Sequence, residues 1–220
     1  MDSKDILKYV DHTQLKAFAV WKDYQKLCDE AVRYNCASVC VPPTRIKAIR
    51  AAYPDLNICT VVGFPLGYSA TEAKLAEVKQ ALADGANEID MVVNIAKVKD
   101  HAYDEVLAEV KALKQAVGGK ILKVIIETCY LDEAEKIRLC EIVTEAGADF
   151  IKTSTGFGTA GATLEDVELF KKHIGPNVKI KAAGGIRTVQ DMENFIAAGC
   201  SRLGTSSAVD LLAGGAAGSY

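Results

Sequence analysis

The chain has 220 residues with a formal net charge of -3, and 50% of its residues are hydrophobic. This slightly acidic balance argues against a nucleic-acid or anionic-membrane surface, and no apolar run approaches the roughly 20 residues of a membrane span. Seven scattered cysteines form no Cys-x-x-Cys pair, which favours reduced thiols over a disulfide frame or a zinc site. With no signal peptide at its start, the chain is expected to be soluble and cytoplasmic.

Short apolar segments typical of buried strands recur eight times, separated by longer segments with an apolar stripe at helical spacing. The predicted strands are Tyr9–Asp11, Ser38–Val41, Asn57–Val62, Glu88–Val93, Lys123–Glu127, Phe150–Lys152, Val178–Ala182 and Arg202–Gly204. The predicted helices are Trp21–Tyr34, Thr71–Asp84, Tyr103–Val117, Asp132–Ala146 and Thr163–Ile174.

Strict alternation of strand and helix predicts parallel strands, and eight such units predict closure into a (β/α)₈ TIM barrel. An open doubly wound sheet is the alternative fold, but no Gly-x-Gly-x-x-Gly follows the first strand. We therefore expect residues 1–220 to form a single barrel domain with a flexible Gly- and Ala-rich tail from about residue 213.

Lys152 stands at the carboxyl end of the sixth predicted strand, just before a run of hydroxyls and glycines. Burying an ammonium group is costly, because the charge needs a partner or the amine gives up its proton. A salt-bridged structural lysine is one interpretation of this position. The other is a neutral amine that attacks a carbonyl and forms a Schiff base.

Strand parity predicts which charged side chains accompany that lysine, since residues two apart on a strand share a face. If Lys152 points into the barrel, the simplest arrangement also turns Asp90, Lys123 and Lys181 inward, at the end of the barrel where active sites lie. Lys181 as a neighbouring cation would favour a neutral Lys152, and Asp90 would serve as general acid/base.

Two glycine- and serine-containing segments follow the seventh and eighth strands and predict a phosphate site. Residues 181–187 carry two adjacent glycines, and residues 204–208 run into a helix that is expected to start near Ser206 or Ser207. Barrels often bind phosphate with these two loops and a helix N-terminus. Either segment alone is more often a turn or a helix cap.

Six segments together resemble the deoxyribose-phosphate aldolase family over essentially the whole chain. The first is Asp11-His12-Thr13. The others are EIDMVVN at 88–94, KVIIET at 123–128, FIKTSTG at 150–156, KAAGGIR at 181–187 and GTSS at 204–207. The pair Lys-Thr-Ser-Thr-Gly and Lys-Ala-Ala-Gly-Gly-Ile-Arg is the most specific part of this resemblance.

The resemblance implies a class I aldolase that needs no metal or other cofactor. Such enzymes reversibly split 2-deoxy-D-ribose 5-phosphate into acetaldehyde and D-glyceraldehyde 3-phosphate. Lys152 matches the Schiff-base lysine, and Asp90 and Lys181 match its acid/base partners. The residues that match the phosphate site are Gly184, Gly185, Arg187, Gly204, Ser206 and Ser207. The implied partners are a small sugar phosphate and aldehydes, with homo-oligomerisation as an option, and neither nucleic acid nor membrane.

Candidate accessory residues are Asp11, Cys40, Lys123, Thr153 and Tyr220. Cys40 is expected to be exposed at the barrel mouth, where its thiol would capture an unsaturated aldehyde formed from two acetaldehydes. Tyr220 ends a tail that in some members folds back over the site, and its phenol would relay a proton to the enamine. The sequence does not decide whether His12 and Glu127 support the catalytic residues or have a purely structural role.

The chain departs from the family pattern at Phe157, where some members carry a lysine that helps to hold phosphate. This leaves the strength of the phosphate grip open. Three other functions compete with the main interpretation: a lysine-dependent aldolase or transaldolase with a keto donor, a barrel isomerase without a covalent lysine, and a sensor that binds a sugar phosphate without turnover.

Overall fold

The computed structural model of the chain describes residues 2–212, in which eight parallel strands close into one barrel in sequence order. The first strand pairs with both the second and the eighth, which closes the ring. The strands are β1 Val10–Thr13, β2 Ser38–Val41, β3 Ile58–Val62, β4 Glu88–Val92, β5 Ile121–Ile125, β6 Phe150–Lys152, β7 Lys179–Ala183 and β8 Arg202–Thr205. The predicted (β/α)₈ barrel is confirmed.

Ten α-helices surround or cap this barrel within the described residues. They are α1 Ser3–Leu7, α2 Trp21–Tyr34, α3 Ile46–Ala52, α4 Thr71–Asp84, α5 Ile95–Lys99, α6 Tyr103–Val117, α7 Glu133–Glu145, α8 Leu164–His173, α9 Val189–Ala198 and α10 Ala208–Leu212. Two 3₁₀ turns, Pro43–Arg45 and Thr128–Tyr130, follow β2 and β5.

The predicted bounds of α2, α4 and α6 are confirmed, whereas α7 and α8 are shorter by one residue at each end. Asp132 and Thr163 precede these two helices as caps. Their side-chain oxygens accept hydrogen bonds from the backbone N–H groups of Glu135 and Asp166. A capping side chain satisfies a backbone donor that the first helical turn leaves unpaired, so the helix begins one residue later.

The largest error in the predicted strands concerns β5, which begins and ends two residues before the predicted Lys123–Glu127. Glu127 has a left-handed backbone with φ of 54°, which no strand residue adopts, and a 3₁₀ turn begins directly after it. β1 is shifted in the other direction: it begins at Val10 and extends to Thr13, because His12 and Thr13 still pair with β2. The remaining strand bounds agree with prediction to within one residue.

Alternation along the strands separates an aliphatic layer from a polar barrel interior. Ile89 and Met91 on β4 pack in the main hydrophobic core between strands and helices, while Glu88 and Asp90 on the same strand make their contacts within the barrel. Residues of alternate parity point to opposite faces of a sheet, so a single strand supplies both layers. The fold thereby brings charged groups from several strands together.

Two further sequence expectations bear on the ends and the surface of the chain. None of the helices within residues 2–212 is long and apolar enough to cross a membrane. The tail expected from about residue 213, including Tyr220, lies outside the described residues. The proposed role of that tyrosine stays a prediction.

Candidate active site

The carboxylate of Asp90 is the centre of a buried network of charged groups inside the barrel. Lys123 Nζ donates to Asp90 Oδ1 at 2.8 Å, while Lys152 Nζ and Lys181 Nζ donate to Asp90 Oδ2 at 2.8 and 2.7 Å. Strand register explains this convergence, since Asp90 is the partner of Lys123 across β4 and β5, and Lys152 is that of Lys181 across β6 and β7. The four side chains predicted to point inward are thus in direct contact.

A second layer of ion pairs lies beneath this centre. Lys181 contacts Asp11 Oδ2 at 2.5 Å, and Lys123 contacts Glu88 Oε2 at 2.6 Å. Arg202 joins both acids, since its guanidinium contacts Asp11 at 2.6 Å and Glu88 at 2.9 Å. The contact with Glu88 is bidentate, since two guanidinium nitrogens donate to its two carboxylate oxygens. Such a contact fixes the orientation of the carboxylate and stabilises its negative charge.

Arg202 was not identified from the sequence, although strand parity contains a signal for it. It lies two residues before Gly204 on β8 and is the register partner of Lys181 on β7. Once Lys181 is placed inside the barrel, its partner on the next strand belongs to the same side. Arg202 thus belongs to the polar interior rather than to the start of an aliphatic strand.

The ion pairs determine which of these groups carry charge. Burial alone would raise the pKa of Asp90, but the surrounding lysines, Lys123 foremost, hold it well below its usual range. Burial alone would lower the pKa of Lys181, but the carboxylates of Asp11 and Asp90 raise it above its usual value. At neutral pH Asp90 is therefore ionised and Lys181 is protonated.

A count of charges distinguishes Lys152 from the other lysines. The network holds three carboxylates, of Asp11, Glu88 and Asp90, against four cationic side chains, of Lys123, Lys152, Lys181 and Arg202. The charges balance when one amine is neutral. Lys123 and Lys181 each contact two or more carboxylates, whereas Lys152 forms an ion pair with Asp90 alone among residues 2–212.

A thiol on the neighbouring strand β3 contacts the same carboxylate, and a second thiol lies close to both. Cys59 Sγ donates to Asp90 Oδ1 at 3.1 Å, and ligand atoms of Cys40, Cys59 and Asp90 all lie within 4.8 Å of one another. This set could hold a metal by its donor atoms, but the three lysines on Asp90 compete with any cation there. The expected exposure of Cys40 is wrong: the residue is 1% exposed, in a buried cluster with Cys59 and Val61 against which Leu15 and Phe64 pack.

A cavity of about 430 Å³ opens beside this network, between the loops that follow β6, β7 and β8. All six residues predicted to hold phosphate line it, together with residues of the loop after β6. The complete lining is Gly156, Gly158, Thr159, Ala160, Gly161, Gly184, Gly185, Ile186, Arg187, Gly204, Thr205, Ser206 and Ser207. The expected helix after β8 begins at Ala208, next to the predicted start.

Close backbone packing shapes this cavity. A Cβ atom on Gly161 would lie 2.3 Å from the carbonyl carbon of Gly184, so the loops after β6 and β7 are in contact. Gly184 itself has a φ of +77°, a conformation that side-chain-bearing residues rarely adopt. The glycines after β7 are part of the phosphate motif predicted from the sequence, whereas the contribution of Gly161 follows only from this loop contact.

Three other residues singled out from the sequence have structural partners. Thr153 donates to the carbonyl of Ala183 at 3.3 Å and so links the ends of β6 and β7. Glu127 accepts hydrogen bonds from the backbone and hydroxyl of Thr155, and burial raises the pKa of its carboxyl. His12 Nε2 lies 2.8 Å from Glu30 on α2, which anchors β1 to that helix.

Phe157 contacts an aromatic ring from the far side of the barrel mouth. Its ring meets that of Phe64 edge to face, with centroids 5.3 Å apart. Phe64 follows β3 and Phe157 follows β6, which are separated by two strands of the closed ring. Edge-to-face pairs are favourable at this separation, so the two loops meet near the mouth.

The barrel encloses several lysines among buried carboxylates, and a cavity lined by glycines, serines and Arg187 lies at the carboxyl ends of its strands. These features together are typical of lysine-dependent barrel enzymes. Residues 6–216 match the family model described as DeoC/LacD family aldolase. The chain belongs to this family of aldolases. The resemblance identified from the sequence motifs is thereby confirmed.

Individual relatives agree with this assignment. The chain is 68% identical to a deoxyribose-phosphate aldolase of Clostridium botulinum (strain Eklund 17B / Type B), over 97% of both chains. It is 59% identical to one of Clostridioides difficile (strain 630), over 95% of this chain and 96% of the relative. The solved deoxyribose-phosphate aldolase of Aeropyrum pernix, a tetramer, superposes with a TM-score of 0.89 at 32% identity, over 96% of this chain and 91% of that one.

Proposed function

We propose that this aldolase reversibly cleaves 2-deoxy-D-ribose 5-phosphate to acetaldehyde and D-glyceraldehyde 3-phosphate, through a Schiff base on Lys152. The names of the close relatives support the substrate. The single observation that carries the residue assignment is the sharing of one carboxylate oxygen, Asp90 Oδ2, by the amines of Lys152 and Lys181. Two cations on one oxygen repel each other, which favours the neutral form of the less supported amine.

Lys152 is the better nucleophile of the two on three grounds. It ends β6 beside the cavity-lining loop, whereas Lys181 lies in the interior of β7. Within the described part of the chain it has one ion-pair partner, whereas Lys181 is held by Asp11 as well as Asp90. A neutral amine on Lys152 leaves three cationic side chains against three carboxylates, so the network keeps no excess charge.

The reaction then uses the remaining charged groups for proton transfer. The Lys152 amine adds to the C1 aldehyde, and loss of water gives an iminium that draws electrons from the C2–C3 bond. Asp90, ionised at neutral pH, is suited to accept the proton of the C3 hydroxyl directly or through a water. Lys181 stays protonated and is suited to donate to the carbinolamine oxygen. Cleavage releases glyceraldehyde 3-phosphate, and protonation and hydrolysis of the remaining enamine release acetaldehyde.

The cavity between the loops after β6, β7 and β8 would hold the phosphate. Its glycine-rich walls allow close approach of backbone groups to an anion, and Arg187 adds a permanent positive charge. The phosphate is remote from the bond that breaks, so its binding supplies orientation that the two-carbon fragment cannot.

Borohydride reduction in the presence of acetaldehyde tests the covalent step. We expect a two-carbon adduct on the intact protein, located on Lys152 by peptide mapping and absent in Lys152→Met. Lys74→Met is the matched control, because Lys74 is another fully buried lysine but lies outside the barrel interior. An adduct that persists in Lys152→Met would overturn the assignment.

A keto donor is the remaining alternative within the aldolases. Trapping with dihydroxyacetone phosphate in place of acetaldehyde distinguishes the two. Under the proposal the ketone gives little or no adduct, since the buried cluster of Cys40, Cys59 and Val61 beside Asp90 offers an apolar surface rather than a partner for a second hydroxymethyl group. A ketone adduct formed faster than the acetaldehyde adduct would favour the alternative.

A further inference from the structure

Cys40 and Cys59 form a thiol pair beside the reacting lysine that the aldol mechanism does not use. They are register partners on the neighbouring parallel strands β2 and β3. With Val61 they form a small buried cluster separate from the main core, and Leu15 and Phe64 pack against it. Both packing residues come from loops at the barrel mouth and are partly exposed, so the pair lies one side chain away from solvent.

The positions of the two residues suit a disulfide. Adjacent strands lie about 4.8 Å apart, which is within the roughly 4.4–6.8 Å between Cα atoms that disulfides span. The Cys40 and Cys59 sulfur atoms are at most 4.8 Å apart. Rotation of the two side chains toward each other, without a change of strand register, closes most of the remaining gap.

The electrostatic surroundings favour Cys40 over the deeply buried cysteines outside the barrel as the first thiol to react, whereas burial raises the pKa of its partner Cys59 well above the usual value. The interaction with the Cys59 sulfur, and after it the attraction of Lys181, hold the pKa of Cys40 below its usual value in spite of burial. Burial raises the pKa of the thiols of Cys28, Cys140 and Cys200 to about 12. The thiolate is the form that reacts with peroxides, so Cys40 is the best placed of these thiols to react.

We propose that Cys40 and Cys59 are a redox modification site, which hydroperoxides convert into a disulfide that reversibly inactivates the enzyme. Cys40 thiolate attacks one peroxide oxygen, and the other leaves as hydroxide and takes up a proton. Cys59 then attacks the sulfur of the sulfenic acid and forms the S–S bond, and its thiol proton leaves with the expelled hydroxide as a second water. Overall two thiols and one hydrogen peroxide give one disulfide and two waters.

The disulfide acts on the reaction through Asp90. In the reduced protein Cys59 donates its thiol hydrogen to Asp90 Oδ1 at 3.1 Å, and Lys123 Nζ lies 3.3 Å from the same sulfur. Oxidation removes that hydrogen and draws the sulfur toward Cys40, so Asp90 loses a donor and its neighbours shift. We expect turnover to fall about tenfold or more, since a misplacement of about 1 Å in an active site can cost about a hundredfold.

The test treats the full-length enzyme with hydrogen peroxide, quenches with catalase, alkylates free thiols in denaturant and maps the peptides. We expect a Cys40–Cys59 crosslink that lacks two hydrogens, a parallel loss of turnover, and recovery of both by dithiothreitol. Cys140→Ser, a buried thiol on α7, is the matched control and should form the crosslink as the wild type does.

Cys59→Ser keeps a hydroxyl that can donate to Asp90 but cannot form the bond. In this variant we expect a dimedone-reactive sulfenic acid on Cys40 in place of the crosslink. Wild-type protein without a Cys40–Cys59 crosslink would overturn the proposal. A wild-type crosslink that forms without loss of turnover would overturn the inactivating role as well. The crosslink is detected by mass and does not depend on the proposed substrate, so its failure is distinct from a failure of the Schiff-base assignment.

Discussion

The protein buries lysines in two different settings, and only one of them is suited to chemistry. Between α4 and α6, Lys74 Nζ donates to Glu109 Oε2 at 2.9 Å and to the carbonyl of Val92 at 2.8 Å. Inside the barrel, Lys152 Nζ donates to Asp90 Oδ2 at 2.8 Å, an oxygen that it shares with Lys181. Both lysines are almost completely buried.

This difference shows that burial alone does not make a lysine a nucleophile. Burial lowers the pKa of Lys74 in spite of the opposing pull of Glu109, yet the amine is enclosed in a helix layer. Lys152 ends the strand that leads into a cavity-lining loop, and it competes with a second lysine for its carboxylate. Competition for a carboxylate, together with access from the barrel mouth, distinguishes the reactive setting from the structural one.

The sharpest test exchanges each lysine for arginine, which stays charged at any usable pH. Lys152→Arg should lower kcat for deoxyribose phosphate cleavage by at least about 10⁴-fold, the scale on which enzymes lose activity with their nucleophile. Lys74→Arg should keep turnover within about tenfold, because it touches none of the reacting groups. Steady-state kinetics gives kcat for both variants. Appreciable turnover in Lys152→Arg would contradict the assignment of Lys152 as the nucleophile.

Removal of Lys181, the cation that competes for Asp90, should leave Lys152 paired with a carboxylate of its own, as Lys74 is paired with Glu109. In Lys181→Leu the carboxylates of Asp11 and Asp90 lose a shared partner, and the charge of Lys152 becomes needed to balance them. We expect kcat near neutrality to fall about a hundredfold, a typical loss for one acid/base group. The pH at which the rate rises should also move upward. A pH–rate profile of unchanged shape would leave Lys181 without this electrostatic role.

Access to the barrel site is tested at the wall of the cavity. Ser206→Asp places a negative charge on the lining, where the proposed substrate carries its phosphate. KM for deoxyribose 5-phosphate should rise about tenfold or more, equal to about 1.4 kcal/mol of lost binding, because like charges repel. Free deoxyribose is the control substrate and should show little change. Equal losses for both sugars would place the phosphate elsewhere.

The stabilising effect of the central carboxylate is tested by acid unfolding of wild type and of Asp90→Asn. The pKa of Asp90 is depressed in the folded protein, so its contribution to stability is complete above the unfolded value of about 4 and is lost as pH falls below it. The free energy of unfolding should therefore rise with pH more steeply in wild type than in Asp90→Asn, by about 1.4 kcal/mol per pH unit at most. Urea unfolding between pH 2 and pH 5 measures both slopes, and equal slopes would contradict the assigned pKa direction.

The smallest effect concerns the aromatic pair at the mouth. Phe157 is 49% exposed, so a lysine at this position can reach the cavity from its edge. Phe157→Lys should lower KM for the phosphorylated sugar by no more than about fivefold, since exposed ion pairs contribute roughly 0.2–1 kcal/mol. Phe157→Leu removes the ring contact without adding charge and is the control. If both variants change KM equally, the ring rather than the charge matters.

Much of the site could be predicted because strand parity is a local property. Asp90, Lys123, Lys152 and Lys181 each lie on a short apolar strand, and the two-residue repeat decides which face each occupies. The cavity that we propose for phosphate lies where the sequence predicts it, because glycines follow β7 and serines follow β8. Cys59 was not identified, because its parity places it inward but nothing local says that it reaches Asp90 on the neighbouring strand.

The sequence alone determined the eight strand–helix repeats, the barrel and the inward set of lysines, since these follow from periodicity and from short motifs. Only the tertiary structure decided that Arg202 bridges two acids, that Cys40 is covered, and that Phe64 meets Phe157 across the mouth. Those contacts join strands or loops far apart in the chain. They depend on the register with which the ring closes, and register is set by all eight strands together rather than by any one segment.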